Sequence, residues 1–292
     1  MNHRPAADPT GRQQTGEGGS PRSTAANPLI SLRSVEKTFQ TPRGPMRVVS
    51  DVSLDIDRGE FITLIGPSGC GKTTILNMIA GFLPADSGTL TIDGRAISGP
   101  GKERGVIFQE YGVFPWLTVE ENIEFGLKLR ANRGDASPVR RREIVQHYIE
   151  LMQLTGFERA YPKTLSGGMR QRLAIARTYA TNPEVLLMDE PFGALDAQTR
   201  SVMQLALMKA LQEERKTVVL ITHSVEEAIF LSNRVVVVSA RPARLMKSVE
   251  IPFAYPRAPE IVSSAEFQGL RVQLNSILME QFNAQQKLTA IE

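Results

Sequence analysis

The chain has 292 residues, of which 41% are hydrophobic and 22% are charged, enough apolar material for one large domain or two modest ones. A net charge of +3 without a concentrated basic stripe excludes the usual nucleic-acid-binding composition. One cysteine excludes an intrachain disulfide and fits a reducing compartment. The N-terminus shows no apolar signal-peptide region, and apolar runs such as residues 235–238 are too short to span a bilayer. We therefore expect any membrane role to be peripheral.

The first 27 residues predict a disordered tail, because they are rich in Pro, Gly, Ser, Thr, Gln and Arg and have no apolar periodicity. From residue 28, short apolar runs alternate with helical patterns. The runs FITLIG, VLLMDE, VVLITH and RVVVVSA predict strands. Because the middle two are nearly continuously apolar, we expect an α/β fold with a mostly parallel sheet covered by helices on both faces.

A charged segment with helical periodicity, residues 118–159, interrupts this α/β pattern. Thr118 and Glu121 form a capping-box pattern that predicts a helix start. A second helix is predicted from Ser137 and Pro138 to about Leu154. Beyond residue 250, a helical pattern near residues 267–282 predicts either a packing helix or a regulatory or dimer-contact element.

The sequence GPSGCGKT, residues 66–73, matches the phosphate-binding P-loop pattern between a predicted strand and a predicted helix. Its glycines allow the backbone to wrap a phosphate, and the N–H groups of the helix N-terminus complement the negative charge. Lys72 is expected to reach the β- and γ-phosphates, and the Thr73 hydroxyl to bind Mg²⁺. The predicted phosphate-binding residues are Gly66, Pro67, Ser68, Gly69, Cys70, Gly71, Lys72, Thr73 and Thr74. For Cys70, a small loop-filling role is the alternative.

Two carboxylates and a histidine follow other predicted strands. Asp189 and Glu190 come directly after the apolar run EVLLM, and His223 ends VVLIT. Ligands of open α/β sheets bind at the carboxyl ends of the strands. The sequence thus predicts Asp189 as a magnesium ligand, Glu190 as the general base for the attacking water, and His223 as a further catalytic group alongside Lys72.

A second glycine-rich stretch, LSGGMRQR, places Ser166 at the N-cap of a predicted helix whose first turn carries Gly167 and Gly168. This is a second anion-binding helix terminus. One interpretation is that it serves a nucleotide held by another copy of the protein.

These motifs, in this order, resemble the nucleotide-binding subunits of ABC transporters over about residues 30–249. The resemblance implies a P-loop ATPase core of residues 28–250, with an antiparallel β portion, an inserted helical subdomain at about 110–180 and a helical extension at 251–292. It also implies ATP and Mg²⁺ as cofactors, and a dimer of two copies that encloses two ATP molecules.

Several site residues follow from the same resemblance. Phe39 occupies the position of the aromatic residue that stacks on adenine, with a core phenylalanine as the alternative. Gln109 matches a glutamine that contacts Mg²⁺ and the water region. Ser166, Gly167 and Gly168 match the signature that closes on the opposing subunit's γ-phosphate. Asp196 in GALD matches the loop that links the two sites, and His223 matches the switch histidine.

The stretch FQEYGVFPWLTVEENIEFG, residues 108–126, together with the later SARP segment, resembles the importer group for nitrate, sulfonate, taurine and related solutes. This implies separate transmembrane permease subunits, an indirect link to a solute-binding protein, and a place on the cytoplasmic face of the inner membrane. Tyr111, Phe114, Pro115 and Trp116 are the expected permease contacts, with an internal wedge as the alternative for this stretch. A soluble ABC ATPase of translation or DNA maintenance remains the alternative function.

Overall fold

The computed structural model of the chain describes residues 27–129, 137–193 and 195–289. The predicted disordered tail lies outside these residues, apart from Asn27. The strands are β1 Ile30–Thr41, β2 Gly44–Ile56, β3 Phe61–Ile65, β4 Ser87–Ile92, β5 Arg95–Ala96, β6 Arg104–Ile107, β7 Val185–Asp189, β8 Thr217–Ile221, β9 Arg234–Val238 and β10 Leu245–Glu250. The α-helices are α1 Lys72–Ala80, α2 Val119–Lys128, α3 Pro138–Leu151, α4 Gly167–Ala180, α5 Ala197–Glu214, α6 Val225–Leu231 and α7 Ala265–Thr289.

The strands form two sheets. A four-stranded sheet has the order β2-β1-β4-β5 and is antiparallel throughout. A six-stranded sheet has the order β10-β9-β3-β8-β7-β6, in which neighbours are parallel except for the antiparallel edge strand β10. The expected combination of a mostly parallel sheet with an antiparallel portion is confirmed.

The central strands of the larger sheet are buried on both faces. β3, β7, β8 and β9 each have five residues, all of them buried, at the positions predicted from the apolar runs. Alternate side chains of β3 enter different cores: Phe61 and Ile65 join one cluster, whereas Ile62 and Leu64 join the other. Two-sided burial explains the continuous apolar runs. Because these strands are parallel, the segments that follow β3, β7 and β8 lie at the same edge of the sheet.

The helices α2, α3 and α4 lie between β6 and β7 in the chain and pack against one another. The capping box at the start of α2 is present: Glu121 N donates to Thr118 Oγ1 at 3.3 Å, and Thr118 N donates to Glu121 Oε2 at 2.8 Å. Helix α3 begins after Ser137, as predicted, but ends at Leu151 rather than Leu154. It ends earlier because Gln153 has a positive φ of 53°, which turns the chain out of the helix.

The C-terminal extension packs on the core through a 3₁₀ turn at Pro259–Ser263 and through α7. Phe267, Leu274 and Leu278 of α7 are buried in the same cluster as the residues of α6. Packing of this helix on the core is confirmed, and a regulatory role stays a prediction. Within residues 27–129, 137–193 and 195–289, we find no helix that is both long and apolar enough to cross a membrane.

Candidate functional site

The P-loop is shaped by glycines at positions that other residues cannot occupy. Gly66 lies so close to β9 that an added Cβ would stand 2.6 Å from the Val238 carbonyl oxygen. Gly71 has a φ of 116°, and its Cβ would stand 2.9 Å from the Val48 carbonyl oxygen. Because only glycine tolerates both constraints, the loop wraps tightly and α1 begins directly after it, at Lys72.

The Lys72 side chain is buried within this loop, with 5% of its surface exposed. Its Nζ donates to the carbonyl oxygens of Gly66 at 2.9 Å and Pro67 at 2.8 Å. These bonds hold an ammonium group at the mouth of a helix N-terminus, where both the charge and the backbone dipole attract an anion.

Thr73 and Asp189 meet at the edge of the sheet. The Thr73 hydroxyl donates to Asp189 Oδ2 at 2.9 Å. Burial is the main cause that raises the pKa of the Asp189 carboxyl above its ordinary value, while the Thr73 hydrogen bond and the charge of Lys72 oppose the rise. A carboxylate that is costly to ionise in the protein alone is a good partner for a cation.

Glu190 and His223 form a second pair next to Asp189. His223 Nε2 lies 2.5 Å from Glu190 Oε1, and Gln109 Nε2 donates to Glu190 Oε2 at 3.5 Å. Glu190 has a φ of 49°, in the left-handed region, so the chain turns sharply after β7. This strained conformation separates the Glu190 side chain from that of Asp189 and directs it to His223 and Gln109.

Except for Asp189, which is buried behind Thr73, these groups share one open cleft of about 390 Å³. The predicted residues among its lining are Ser68, Gly69, Gly71, Lys72, Thr73, Thr74, Gln109, Glu190 and His223. Gly66, Pro67 and Cys70 lie behind this lining. Cys70 is fully buried, and burial raises the pKa of its thiol, so the alternative of a loop-filling residue fits it best.

Phe39 is not among the residues that line the cleft. It lies on β1, half-buried against the core that contains the P-loop helix, and it pairs with Met46 on β2. The Lys37 ammonium lies 5.8 Å from the centre of its ring. Val48, two residues after Met46 along β2, does line the cleft, but the β1–β2 register shifts between Arg47 and Val49. The stacking role of Phe39 stays a prediction.

The second glycine-rich helix start lies apart from the cleft. Ser166 is exposed and caps α4, since its Oγ accepts from Met169 N at 3.2 Å. Asp196 caps α5 in the same way, with Oδ1 accepting from Thr199 N at 2.9 Å. Neither residue lines the P-loop cleft, nor do Gly167 and Gly168. Within one chain, the structure does not bring these four predicted residues to the P-loop.

The aromatic segment, residues 111–117, has a buried side and an exposed side. The Phe114 ring packs 4.4 Å from Phe125 and lies under the Arg177 guanidinium at 4.1 Å. Trp116 is 69% exposed. Tyr111 lies 5.2 Å from the Arg170 guanidinium of α4 and is half-buried, whereas Pro115 is exposed. The internal-wedge alternative therefore describes Phe114, and an open surface describes Trp116.

Four contributors to these surfaces were absent from the sequence prediction. Val48 and Ile221 line the cleft, and Arg177 and Asn122 hold the aromatic segment. Arg177 donates to the Gly112 carbonyl oxygen, and burial lowers the pKa of its guanidinium. The position of Asn122 on the apolar face of α2 was the available signal, because an amide there requires buried partners.

The donor set suits magnesium better than a softer metal. Thr73, Asp189 and Gln109 offer hydroxyl, carboxylate and amide oxygens, the ligand types that Mg²⁺ prefers. Across the described ranges, no group of three or more His, Cys, Asp and Glu residues is arranged to hold a metal ion. Mg²⁺ usually binds phosphate oxygens and water besides a few protein oxygens of these types. The residues present therefore fit a phosphate-bound Mg²⁺.

Comparison with known proteins gives a consistent family. The family model described as ABC transporter matches residues 49–193. A putative ATP-binding protein of Brucella abortus (strain 2308) is 50% identical over 244 residues, 84% of this chain and 91% of that protein. The aliphatic sulfonates import ATP-binding protein SsuB of Bacillus anthracis is 43% identical over 245 residues, 84% of this chain and 94% of that protein.

Solved structures agree with this grouping. A dimeric post-hydrolysis state of the ATP-binding cassette MJ0796, bound to ADP and Pi, is 30% identical, with a TM-score of 0.70, and covers 77% of this chain and 100% of that one. The cleft, the fold and the relatives therefore place this chain in the family of ABC transporter ATP-binding proteins, as an ABC-type ATPase.

Proposed function

We propose that the chain is the ATP-hydrolysing subunit of a bacterial importer that takes up a small sulfonate-like anion through separate permease subunits. The relatives named as aliphatic sulfonate import proteins, at 43% identity, support this solute class over nitrate, and taurine is itself an aliphatic sulfonate. The importer arrangement places the chain on the cytoplasmic face of the inner membrane, as a peripheral subunit with an indirect link to a solute-binding protein.

In this proposal, the P-loop receives the phosphates of ATP. The backbone N–H groups of residues 66 and 68–74 surround the β-phosphate, and the Lys72 ammonium exchanges its carbonyl partners for phosphate oxygens. Phe39 stacks on the adenine. Mg²⁺, held by Thr73, Asp189 and Gln109, supplies positive charge that neutralises the phosphates when it is bound.

Hydrolysis then depends on the group formed by Glu190, His223 and Gln109. The Glu190 carboxylate accepts a proton from the attacking water and orients it, while His223 and Gln109 fix the carboxylate from either oxygen. Lys72 stabilises the charge that develops on the phosphoryl oxygens. Catalysis of this kind comes from positioning and electrostatics, because phosphoryl transfer needs no covalent intermediate on the protein.

A second copy completes the site. Because Ser166, Gly167, Gly168 and Asp196 do not line the cleft of their own chain, we place them over the nucleotide of the opposing copy. The similar cassette structures that are dimeric support this arrangement. ATP then favours the closed dimer, and hydrolysis removes the ligand that favours closure.

The observation that carries the permease link is the exposed Trp116 on the segment that begins at Gln109. One end of this segment contacts Glu190 in the cleft, and the other presents an indole ring that is 69% exposed. An exposed aromatic group of this kind marks an interaction surface, and a helix of a permease subunit is the proposed partner.

Affinity purification from detergent-solubilised membranes tests this proposal. We expect a multispanning permease to co-purify, and a strain without the chain to lose growth on an aliphatic sulfonate as sulfur source while still growing on sulfate. Co-purification of ribosomes or DNA without a permease would instead support the soluble ATPase of translation or DNA maintenance. Normal growth on the sulfonate would overturn the solute class alone.

A further inference from the structure

Glu227 is a buried carboxylate outside the P-loop cleft. Only 6% of its surface is exposed, although its helix, α6, begins two residues after His223. A buried carboxylate is costly unless it is well hydrogen-bonded, and packing alone does not require a charged group here. Its partners therefore indicate what it holds in place.

The first set of partners flanks His223. The Glu227 backbone N–H donates to Ser224 Oγ at 3.2 Å, and Ser224 N donates to Thr222 Oγ1 at 3.1 Å. The Thr222 hydroxyl also contributes a hydrogen bond to the Glu227 carboxyl. Thr222, immediately before His223, is thus bonded to the Glu227 carboxyl, whereas Ser224, immediately after it, caps α6 through the Glu227 backbone N–H. The carboxylate therefore holds the histidine loop on its N-terminal side.

The second set of partners lies on α5. Gln204 Nε2 donates to Glu227 Oε1 at 2.8 Å, in buried surroundings. The positive charge of Arg200 acts on the same carboxyl, and Arg200 Nη2 donates to the Leu195 carbonyl oxygen at 2.9 Å. Helix α5 begins directly after its cap, Asp196. Helix α5, which begins directly after Leu195 and Asp196, is thus hydrogen-bonded to Glu227, four residues after His223.

We propose that Glu227 is a positioning residue that couples α5 to His223, so that docking of a second copy against Asp196 sets the position of the histidine at the first copy's nucleotide. This inference rests on the roles given to His223 and Asp196 under the proposed function. The path has three steps: Asp196 caps α5, Gln204 of α5 binds the Glu227 carboxylate in buried surroundings, and that carboxylate accepts from the Thr222 hydroxyl, one residue before His223.

Steady-state ATP hydrolysis by the full-length chain tests the coupling. We expect Glu227→Ala to lower kcat by about tenfold while KM for ATP changes less than about twofold, because a displaced histidine affects the transition state more than ATP binding. Glu227→Gln should keep most of the activity, since an amide can still accept from Gln204 and Thr222. Gln204→Ala should show a smaller loss, and the double variant Gln204→Ala/Glu227→Ala should be no slower than Glu227→Ala.

Glu226→Gln is the matched control, because Glu226 is the preceding residue on the same helix and its carboxylate is exposed, 3.9 Å from Arg271. It should hydrolyse ATP at the wild-type rate. A wild-type kcat for Glu227→Ala would overturn the inference, as would a rise in KM that accounts for the whole loss. If Glu227→Ala does not fold, a folded Gln204→Ala with wild-type kcat overturns it. His223→Ala with normal hydrolysis would instead overturn the proposed role of the histidine.

Discussion

The P-loop cleft and the aromatic segment are joined through Gln109 and Glu110, yet they are stabilised in opposite ways. In the cleft, charged groups are bonded to one another or to the backbone, and Lys72, bonded to Gly66 and Pro67, is buried. In the aromatic segment, the backbone is anchored from below and the largest apolar side chain, Trp116, points outward. The cleft therefore suits a small charged ligand, whereas the segment leaves a large apolar ring exposed.

Beside Arg177, the aromatic segment is anchored by a buried amide. Asn122 of α2 is fully buried; its Oδ1 accepts from Phe114 N at 2.8 Å, and its Nδ2 donates to the carbonyl oxygens of Phe114, Leu117 and Thr118 at 3.1, 2.9 and 2.9 Å. The backbone of the segment is thus held to α2, while the Trp116 side chain is largely exposed and contacts the Phe114 ring, with ring centres 5.4 Å apart. Compared with the cleft, the segment therefore exposes Trp116 from a backbone that is hydrogen-bonded to the core, and not from an unpacked loop.

The largest effect is expected in the cleft. Glu190→Gln keeps the size and hydrogen-bonding reach of the side chain but cannot accept a proton from water. We expect hydrolysis to fall by at least about 100-fold, while ATP binding, measured by equilibrium titration, stays within a few-fold of wild type. Turnover at the normal rate would rule out Glu190 as the base. The cleft would then no longer differ from the aromatic segment by this catalytic role.

A smaller effect, on stability, is expected at the anchor. Asn122→Ala leaves one backbone N–H and three carbonyl groups without their amide partner, so we expect the free energy of unfolding to fall by about 3 kcal/mol. Urea denaturation measures this change. Gln146→Ala is the control, since Gln146 is an exposed amide bonded to Glu150 at 2.7 Å, and its loss should be within about 0.5 kcal/mol. Equal losses for the two variants would show that the segment does not depend on Asn122.

The sequence predicted those parts of the fold and site that depend on local patterns. The apolar runs located β3, β7, β8 and β9, and the P-loop glycines located the cleft, because both signals depend only on residues that are consecutive in the sequence. The capping box at Thr118 and Glu121 predicted the start of α2 for the same reason.

What depends on contacts between distant residues could not be predicted. Asn122 lies on the apolar face of α2, which indicates that its amide needs buried partners, but which backbone groups of the preceding loop supply them does not follow from the sequence. Arg177 lies 65 residues from its partner Gly112, and Gln204 lies 23 residues from Glu227. The sequence placed the end of α3 at about Leu154, three residues too late, because the positive φ that ends the helix occurs at Gln153 and not at a glycine.

The smallest effect on the isolated protein is expected at Trp116. Because its side chain is largely exposed, Trp116→Ala should change the free energy of unfolding by less than about 1 kcal/mol and leave isolated ATP hydrolysis within about twofold of wild type. Phe114→Ala is the matched control: Phe114 packs on Phe125 and Arg177, so its removal should destabilise the isolated chain by more. In cells, Trp116→Ala should impair solute uptake, since the permease would lose its aromatic contact while the cleft stays intact. Loss of folding by Trp116→Ala would show that the indole is part of the wedge, and normal uptake would show that the exposed ring contacts no partner needed for transport.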